Sequence, residues 1–123
     1  MEQSTPKVFE SEYRFCLILW ESEPVTCAKL ASLCKEKLGW SRTTTYTVIK
    51  RLSERGVIRN EQSTITSLFS KDDIQRADMT ELLQTRFEGS LPAFVNAFAK
   101  IGHLTEKEIN EIRAIIERSG KES

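Results

Sequence analysis

The sequence lacks several features that would indicate disulfide bonding, metal binding or membrane insertion. Its three cysteines, Cys16, Cys27 and Cys34, include no CxxC pair, and their odd number argues against a disulfide framework or a zinc finger. No run of about 18 apolar residues is present, and the first residues lack the charged start and apolar stretch of a secretion signal. We therefore expect a cytoplasmic protein without membrane insertion.

Residue patterns typical of an active site are also missing. His103 is the only histidine and lies just before a helix cap. A lone histidine without nearby ligands is seldom a metal site, and the sequence around it offers no Ser-His-Asp or paired-carboxylate arrangement. The sequence contains no glycine-rich phosphate loop and no Walker motif. We expect that the protein is not an enzyme and that it holds no metal and no cofactor.

The chain has no net charge, but its charge is unevenly distributed. Residues 35–70 carry seven cations and three anions (net +4), residues 1–34 carry three cations and five anions (net −2), and residues 71–123 carry eight and ten (net −2). A basic segment between acidic flanks favours one confined surface for phosphate. This distribution indicates a local DNA-binding face.

The centre of the basic segment predicts a helix that is suited to DNA. If Ser41 caps it, helical spacing separates an apolar face from a hydroxylated and cationic one. The inner face contains Thr45, Val48, Ile49 and Leu52, and the outer face contains Thr43, Thr47, Lys50 and Glu54. Because threonine is a poor helix former, four threonines within residues 43–47 favour a function over an idle surface. We predict a recognition helix in the major groove.

The segment before this helix predicts a helix-turn-helix. Thr26 is a candidate N-cap, and the helix that follows would bury an apolar stripe and end at Gly39. That stripe contains Leu30, Ala31, Leu33, Cys34 and Leu38. Only Trp40 and Ser41 then separate it from the recognition helix, so the two helices must cross at an angle.

The flanking segments complete a winged helix over residues 8–70. A first helix from Val8 to Trp20 is expected to bury one stripe, which contains Tyr13, Cys16, Leu17 and Trp20. After Gly56, residues 57–59 and 64–69 are β-branched or apolar and flank the polar turn 60–63. They predict a small antiparallel hairpin, the wing.

The last third, residues 71–123, predicts a helical dimerisation region. Helices are expected over residues 72–88, from Leu91 to Gly102, and after the capping box that Thr105 and Glu108 form. Three short helices cannot easily bury so many large apolar side chains, so a second copy of the chain is expected to cover them. The candidate dimerisation residues are Leu82, Leu83, Phe87, Leu91, Phe94, Val95, Phe98, Ile109, Ile112 and Ile116. The fold class is thus mainly α with a small β-hairpin.

The order and spacing of several segments resemble the penicillinase-repressor and methicillin-resistance-repressor family, which includes copper-responsive repressors. The likeness extends from Val8 to Arg118 and is carried by Leu19-Trp20, Trp40-Ser41, Thr44, Thr47, Arg51-Leu52, Arg55-Gly56-Val57-Ile58, Phe98-Ala99-Lys100 and Leu104-Thr105-Glu106-Lys107-Glu108-Ile109. The resemblance implies a dimeric repressor with an interlocked C-terminal region. It also implies that Thr43, Thr44 and Thr47 face the major groove, while Ser41 and Arg51 hold phosphates.

The resemblance further implies control of a β-lactam-resistance operon and release by a membrane sensor protease. In the family the repressor is cut just before the phenylalanine that matches Phe98, usually after an asparagine. Here Ala97 precedes Phe98 and Asn96 lies one residue earlier, so either this bond is not cut or an altered bond is used. The cysteine-rich C-terminal metal hook of the copper-responsive members is absent.

The leading hypothesis is a homodimeric repressor on a palindromic double-stranded DNA operator. Ser41, Arg42 and Arg51 would anchor phosphates, Thr43, Thr44, Thr47 and Lys50 would read base edges, and Tyr46 would pack on a sugar or a thymine methyl. One alternative is a thiol-responsive repressor, since Cys27 opens a helix whose dipole can lower a thiol pKa. The other is a winged-helix module that binds protein and no DNA.

Overall fold

The computed structural model describes residues 4–122 and divides into two compact units between Glu81 and Leu82. The elements are α1 (Glu10–Ser22), β1 (Val25–Thr26), α2 (Cys27–Leu38), α3 (Arg42–Glu54), β2 (Ile58–Glu61), β3 (Thr64–Ser67), α4 (Lys71–Arg86), α5 (Leu91–Ile101) and α6 (Glu106–Glu122). The predicted fold class, mainly helical with a small antiparallel sheet, is confirmed.

Helix α1 buries a different face from the one that the sequence predicted. Its buried residues are Glu12, Phe15, Cys16, Ile18 and Leu19, whereas Tyr13, Leu17 and Trp20 are only partly buried. The prediction was correct for Cys16 and wrong for the other three, because residues 15–20 are apolar on nearly every side and the helical period alone did not select a face. Tyr13 and Trp20 pack edge to face at the border of the core, with ring centroids 5.7 Å apart.

Helices α2 and α3 form the predicted helix-turn-helix. The Thr26 hydroxyl accepts a hydrogen bond from the Lys29 N–H at 3.1 Å, which caps α2. Gly39 ends α2 at φ 71°, a backbone conformation that glycine adopts without the strain of a side chain. The Trp40 ring in the turn stacks on Phe15 of α1 with centroids 6.3 Å apart, which holds the turn against the core.

The sheet has three strands rather than the two of the predicted hairpin. The strand order is β1-β3-β2, and β1 pairs antiparallel with β3 through Val25 and Ile65. The wing turn is also shorter than predicted, because residues 60 and 61 belong to β2. The two turn residues, Gln62 and Ser63, both have positive φ (51° and 67°), as a tight hairpin turn requires.

One hydrophobic core joins these elements of the first unit. Its fully buried side chains include Phe15, Leu19, Leu30, Leu52, Ile58, Ile65 and Ile74. The predicted inner face of α3 is confirmed, since Thr45, Val48, Ile49 and Leu52 are all buried. The packing of α3 on this core leaves its opposite face exposed.

The second unit presents its apolar side chains to solvent. Ser90 caps α5 through a 3.1 Å hydrogen bond from the Ala93 N–H. The predicted capping box of α6 is confirmed, because Thr105 and Glu108 each accept a hydrogen bond from the other's backbone N–H. Between residues 82 and 120, no residue is fully buried. Within the second unit, the apolar side chains of α5 and α6 are therefore largely exposed.

Candidate nucleic-acid interface

All eight predicted DNA-binding residues lie on α3 or at its N-cap, and all are exposed. They are Ser41, Arg42, Thr43, Thr44, Tyr46, Thr47, Lys50 and Arg51. The structure therefore brings them together on one surface, which we call the outer face of α3. No carboxylate occurs between residues 41 and 51, so these eight residues do not repel phosphate. The exposed Glu54, one turn after Lys50, adds a negative charge at the far end of α3.

The N-cap fixes the start of this surface. The Ser41 hydroxyl accepts a hydrogen bond from the Thr44 N–H at 3.1 Å and lies 2.9 Å from the Thr44 hydroxyl. Helix N-termini carry partial positive charge and unpaired N–H groups. Ser41 and Thr44 therefore stand at the end of α3 that attracts an anion.

Two side-chain interactions order the first half of the outer face. The Arg42 Nε donates to the Tyr46 hydroxyl at 3.0 Å, and its guanidinium lies over the Tyr46 ring, 5.3 Å from the centroid. The Thr47 hydroxyl donates to the Thr43 carbonyl at 2.9 Å. This bond occupies the Thr47 proton and leaves its oxygen available as an acceptor.

The cations near α3 are mostly unpaired. Of the seven in residues 35–70, Arg55 pairs with Glu12 and Arg59 pairs with Glu61. The other five, Lys35, Lys37, Arg42, Lys50 and Arg51, form no ion pair with another residue in the described range 4–122. Charge that is not neutralised within the protein can interact with an external anion.

A shallow cleft beside the N-terminus of α3 adds residues that the sequence analysis did not select. Ala28, Ala31, Ser32 and Lys35 of α2 line it together with Ser41 and Arg42. The alanine and serine side chains are small and leave the cleft open. Its two charged side chains, Lys35 and Arg42, are both cationic. The only signal in the sequence was the start of the basic segment at Lys35.

The sequence analysis also missed an ion pair at the other end of α3. Arg55, the C-cap residue, donates from Nη1 to Oε2 of Glu12 in α1 at 2.6 Å. Glu12 is buried, with 4% of its surface exposed. Burial by itself would raise the pKa of Glu12, but hydrogen bonds from Arg55 and from the Phe9 N–H, with the charges of Arg55 and Arg51, hold it below its ordinary value.

Two cysteines lie in the core, as predicted. Burial raises the pKa of the Cys16 thiol to about 12. Burial also raises the pKa of Cys34, and the neighbouring Thr45 hydroxyl offsets that shift only in part. Thiols with raised pKa values are poor nucleophiles at neutral pH, so Cys16 and Cys34 act as small apolar side chains.

Cys27 has a different environment, at the first position of α2. It is partly exposed, its N–H donates to the Ser63 carbonyl at 2.9 Å, and its Sγ lies 3.8 Å from Nδ2 of Asn60. These two interactions connect the start of α2 to the wing. A chemical change at this thiol would alter its contact with Asn60 in the wing.

Two further properties concern metal binding and membrane insertion. Among residues 4–122, no three histidine, cysteine, aspartate or glutamate side chains are grouped so that they could hold a metal ion. Over the same range, no helix is both long enough and apolar enough to span a membrane.

Comparison with known proteins assigns the family. The model of the penicillinase repressor family matches residues 9–118. The methicillin resistance regulatory protein MecI of Staphylococcus aureus (strain Mu50 / ATCC 700699) is 25% identical over 122 residues, which cover 96% of this chain and 99% of that protein. The proteins of the same name from Mammaliicoccus sciuri and Staphylococcus epidermidis are 24% identical with the same coverage. The chain therefore belongs to the penicillinase repressor family.

Proposed function

We propose that this repressor binds, as a homodimer, a double-stranded DNA operator that contains two inverted half-sites. The observation that carries the proposal is the outer face of α3, where eight hydroxyl, cationic and aromatic side chains are exposed between residues 41 and 51 and no carboxylate lies among them. The chain as a whole has no net charge, but this face concentrates cationic and hydrogen-bonding side chains. A helix that enters the major groove needs such side chains to reach phosphates and base edges.

The geometry supports a division of roles along α3. Ser41 and Arg42 lie at the helix N-terminus beside the cleft that Lys35 lines, where a backbone phosphate would find both charge and free N–H groups. Arg51 would bind a second phosphate, nearer the other end of the helix. These interactions position the protein on the duplex and carry no sequence information.

The base-reading role falls to Thr43, Thr44, Thr47 and Lys50. Because the Thr47 proton is occupied by the Thr43 carbonyl, its oxygen would accept from an amino group, which adenine and cytosine present in the major groove. Lys50 would donate to guanine O6 or N7. Tyr46, held by Arg42, would pack on a sugar or a thymine methyl.

The second unit supports the dimer. Its exposed apolar side chains include Leu82, Leu91, Val95, Phe98, Ile109, Ile112 and Ile116, each exposed by more than a third, and Leu83, Phe87 and Phe94 are partly buried beside them. Monomeric proteins rarely expose large contiguous apolar patches. A second copy would cover it and present two recognition helices to a palindromic operator.

We propose that the operator controls a β-lactam-resistance operon, as the names of the relatives suggest, and that a membrane sensor protease releases the repressor. The candidate bond between Ala97 and Phe98 lies inside α5, so a protease would have to unwind this helix first. Phe98 is 45% exposed, which gives a protease a side chain to bind.

A gel-shift assay on the promoter of the protein's own operon tests the proposal. Arg51→Ala should weaken binding to every sequence. It should also make the plot of log affinity against log salt concentration less steep, by about 0.9 for each phosphate that it no longer neutralises. We call this steepness the slope. Thr47→Ala should instead change the preferred sequence, by about 1–3 kcal/mol at the base pair that it reads. Arg76→Ala, at an exposed α4 arginine, is the matched control and should leave the slope unchanged.

Equal losses on every sequence from Arg51→Ala and Thr47→Ala would refute this division of roles. No binding to the promoter or to any other duplex, even at low salt, would refute DNA binding and favour the protein-interaction module.

A thiol-responsive repressor is the second candidate, because the partly exposed Cys27 contacts the wing through Asn60. Alkylation of Cys27 should then abolish promoter binding. Two results would together dismiss it: a wild-type protein that binds equally well after oxidation and after reduction, and a Cys27→Ser protein that binds as the wild type does.

A further inference from the structure

Glu12 is a buried carboxylate whose two oxygens are both engaged. Oε1 accepts a hydrogen bond from the Phe9 N–H at 3.0 Å, and Oε2 accepts one from Arg55 Nη1 at 2.6 Å. A charge with 4% exposure is stable only beside an opposite charge, because water no longer solvates it. Arg55 is therefore the counter-ion that permits Glu12 to be ionised inside the protein.

Arg55 connects three parts of the first unit. It is the C-cap residue of α3, its Nη2 donates to the Lys7 carbonyl, and its guanidinium lies 5.3 Å from the centroid of the Phe9 ring. One side chain thus joins the end of the recognition helix to α1 and to the segment before α1.

Arg51 lies one helical turn before Arg55, on the same side of α3. Its backbone carbonyl accepts the Arg55 N–H at 3.1 Å. It is exposed and pairs with no carboxylate in the described part of the chain. Its charge contributes to the low pKa of Glu12, so the two groups lie within electrostatic reach of each other.

We propose that Glu12 and Arg55 form a positioning pair for DNA binding: Arg55 neutralises Glu12 so that Arg51 remains available to a DNA phosphate. The inference rests on the proposed function, in which Arg51 binds phosphate. Without Arg55, the buried Glu12 charge attracts the cation one helical turn away on the same side of α3, which is Arg51. Arg51 then turns toward α1, and each recognition helix neutralises one phosphate fewer.

The test compares the salt dependence of binding for Arg55→Gln, Arg51→Ala, the double variant of both, and Glu12→Gln/Arg55→Gln. The probes are a duplex that spans the protein's own promoter and a scrambled duplex of equal length. All measurements are made at a temperature at which circular dichroism shows each variant folded. Arg55→Gln should lower the slope as much as Arg51→Ala does, about 0.9 for each phosphate.

The two double variants separate a positioning role from a role in stability. Adding Arg51→Ala to Arg55→Gln should lower the slope no further, because Arg51 has already left the phosphate. Glu12→Gln/Arg55→Gln should restore the wild-type slope, because no buried anion remains to recruit Arg51. If the pair served stability alone, every folded variant that retains Arg51 would keep the wild-type slope.

Additive losses in the Arg51→Ala/Arg55→Gln protein, or an unchanged slope in Arg55→Gln, would overturn the inference. Failure of the proposed function looks different: the slope of Arg51→Ala itself would equal that of the wild type, and the inference would fall with it. If Arg55→Gln does not fold, Arg55→His replaces it. The Glu12 carboxylate should raise the pKa of this imidazole above the ordinary value of about 6.5. The slope should therefore fall as the pH rises through that raised value and the imidazole loses its charge, whereas the wild-type slope should not.

Discussion

At the residue scale, burial gives one residue type two different roles within a single helical turn. Thr43, Thr44 and Thr47 are exposed on the outer face of α3, whereas Thr45 is fully buried. The Thr45 oxygen has no hydrogen-bond partner of regular geometry in the described part of the chain, and its hydroxyl faces the Cys34 thiol. The run of threonines is therefore not a uniform DNA-reading surface, since one member belongs to the interface between α2 and α3.

Glu12 provides a residue-scale prediction for stability against pH. Because its pKa is lowered in the folded state, the unfolded chain takes up a proton first as the pH falls. The stabilisation that ionised Glu12 gives the folded protein is thus complete above its ordinary pKa of 4.5. It is lost as the pH falls through the lower pKa that Glu12 has in the folded state. Glu12→Gln should reduce the free energy of unfolding by about 2–3 kcal/mol near neutral pH, less than a fully buried pair because Arg55 is partly exposed.

Urea denaturation at a series of pH values measures this effect. The difference between wild type and Glu12→Gln should shrink below pH 4.5. Glu10→Gln, at an exposed glutamate of the same helix turn, should change the free energy of unfolding little at any pH. A wild-type advantage that persists into acid would contradict the assignment of Glu12 as the titrating group.

At the element scale, the N-cap of α3 serves both the helix and its proposed ligand. The Ser41 hydroxyl satisfies the Thr44 N–H and lies in the cleft with Lys35 and Arg42. Helix capping requires only an acceptor oxygen at this position, whereas a phosphate requires the absence of negative charge. The two requirements can therefore be separated by substitution.

Ser41→Asp should mainly weaken DNA binding, whereas Ser41→Ala should mainly lower stability. Aspartate also caps helices, so Ser41→Asp should keep the melting temperature but weaken promoter binding at least about tenfold, or 1.4 kcal/mol, by repelling phosphate. Ser41→Ala should destabilise the protein by about 1 kcal/mol and weaken binding less. Thermal denaturation and gel-shift of both variants measure this, and a Ser41→Asp protein that binds like wild type would remove Ser41 from the interface.

At the scale of the whole molecule, the two units differ in how far they bury their apolar side chains. The first unit closes a core around Phe15, Leu19 and Leu52, each of them fully buried. In the second unit, Ile101 remains 72% exposed and Ile116 60% exposed. Burying a large apolar side chain contributes roughly 1.5–3 kcal/mol. In the proposed dimer, each of these side chains that became buried would add a contribution of that size.

Ile112→Asp should convert the dimer to a monomer. A carboxylate in the centre of an apolar interface would be desolvated without a partner, which opposes association. Asn110→Asp adds the same charge to α6 outside its apolar stripe and should remain dimeric. Analytical ultracentrifugation distinguishes the two species, and promoter affinity should fall with the monomer because only one recognition helix then binds. A dimeric Ile112→Asp protein would place the interface elsewhere.

The sequence by itself determined the features that depend on neighbours within one or two helical turns. The N-caps at Thr26, Ser41 and Thr105, the inner face of α3 and the glycine end of α2 were all predicted correctly. Capping groups and helical faces arise from interactions between residues three and four apart, so a short stretch of sequence is enough to specify them. The domain limits at residues 70 and 71 and the roles of the site residues remain predictions.

Only the tertiary structure decided the features that depend on distant partners. Strand β1 has only two residues, too few to show the alternation of apolar and polar residues that indicates a strand. It forms because β3 pairs with it. The buried face of α1 was ambiguous, since its apolar residues surround the helix and packing on the core selected among them. The ion pair of Glu12 and Arg55 joins residues 43 positions apart, and no local pattern indicates it, because a charge pair in the interior is set by packing rather than by spacing.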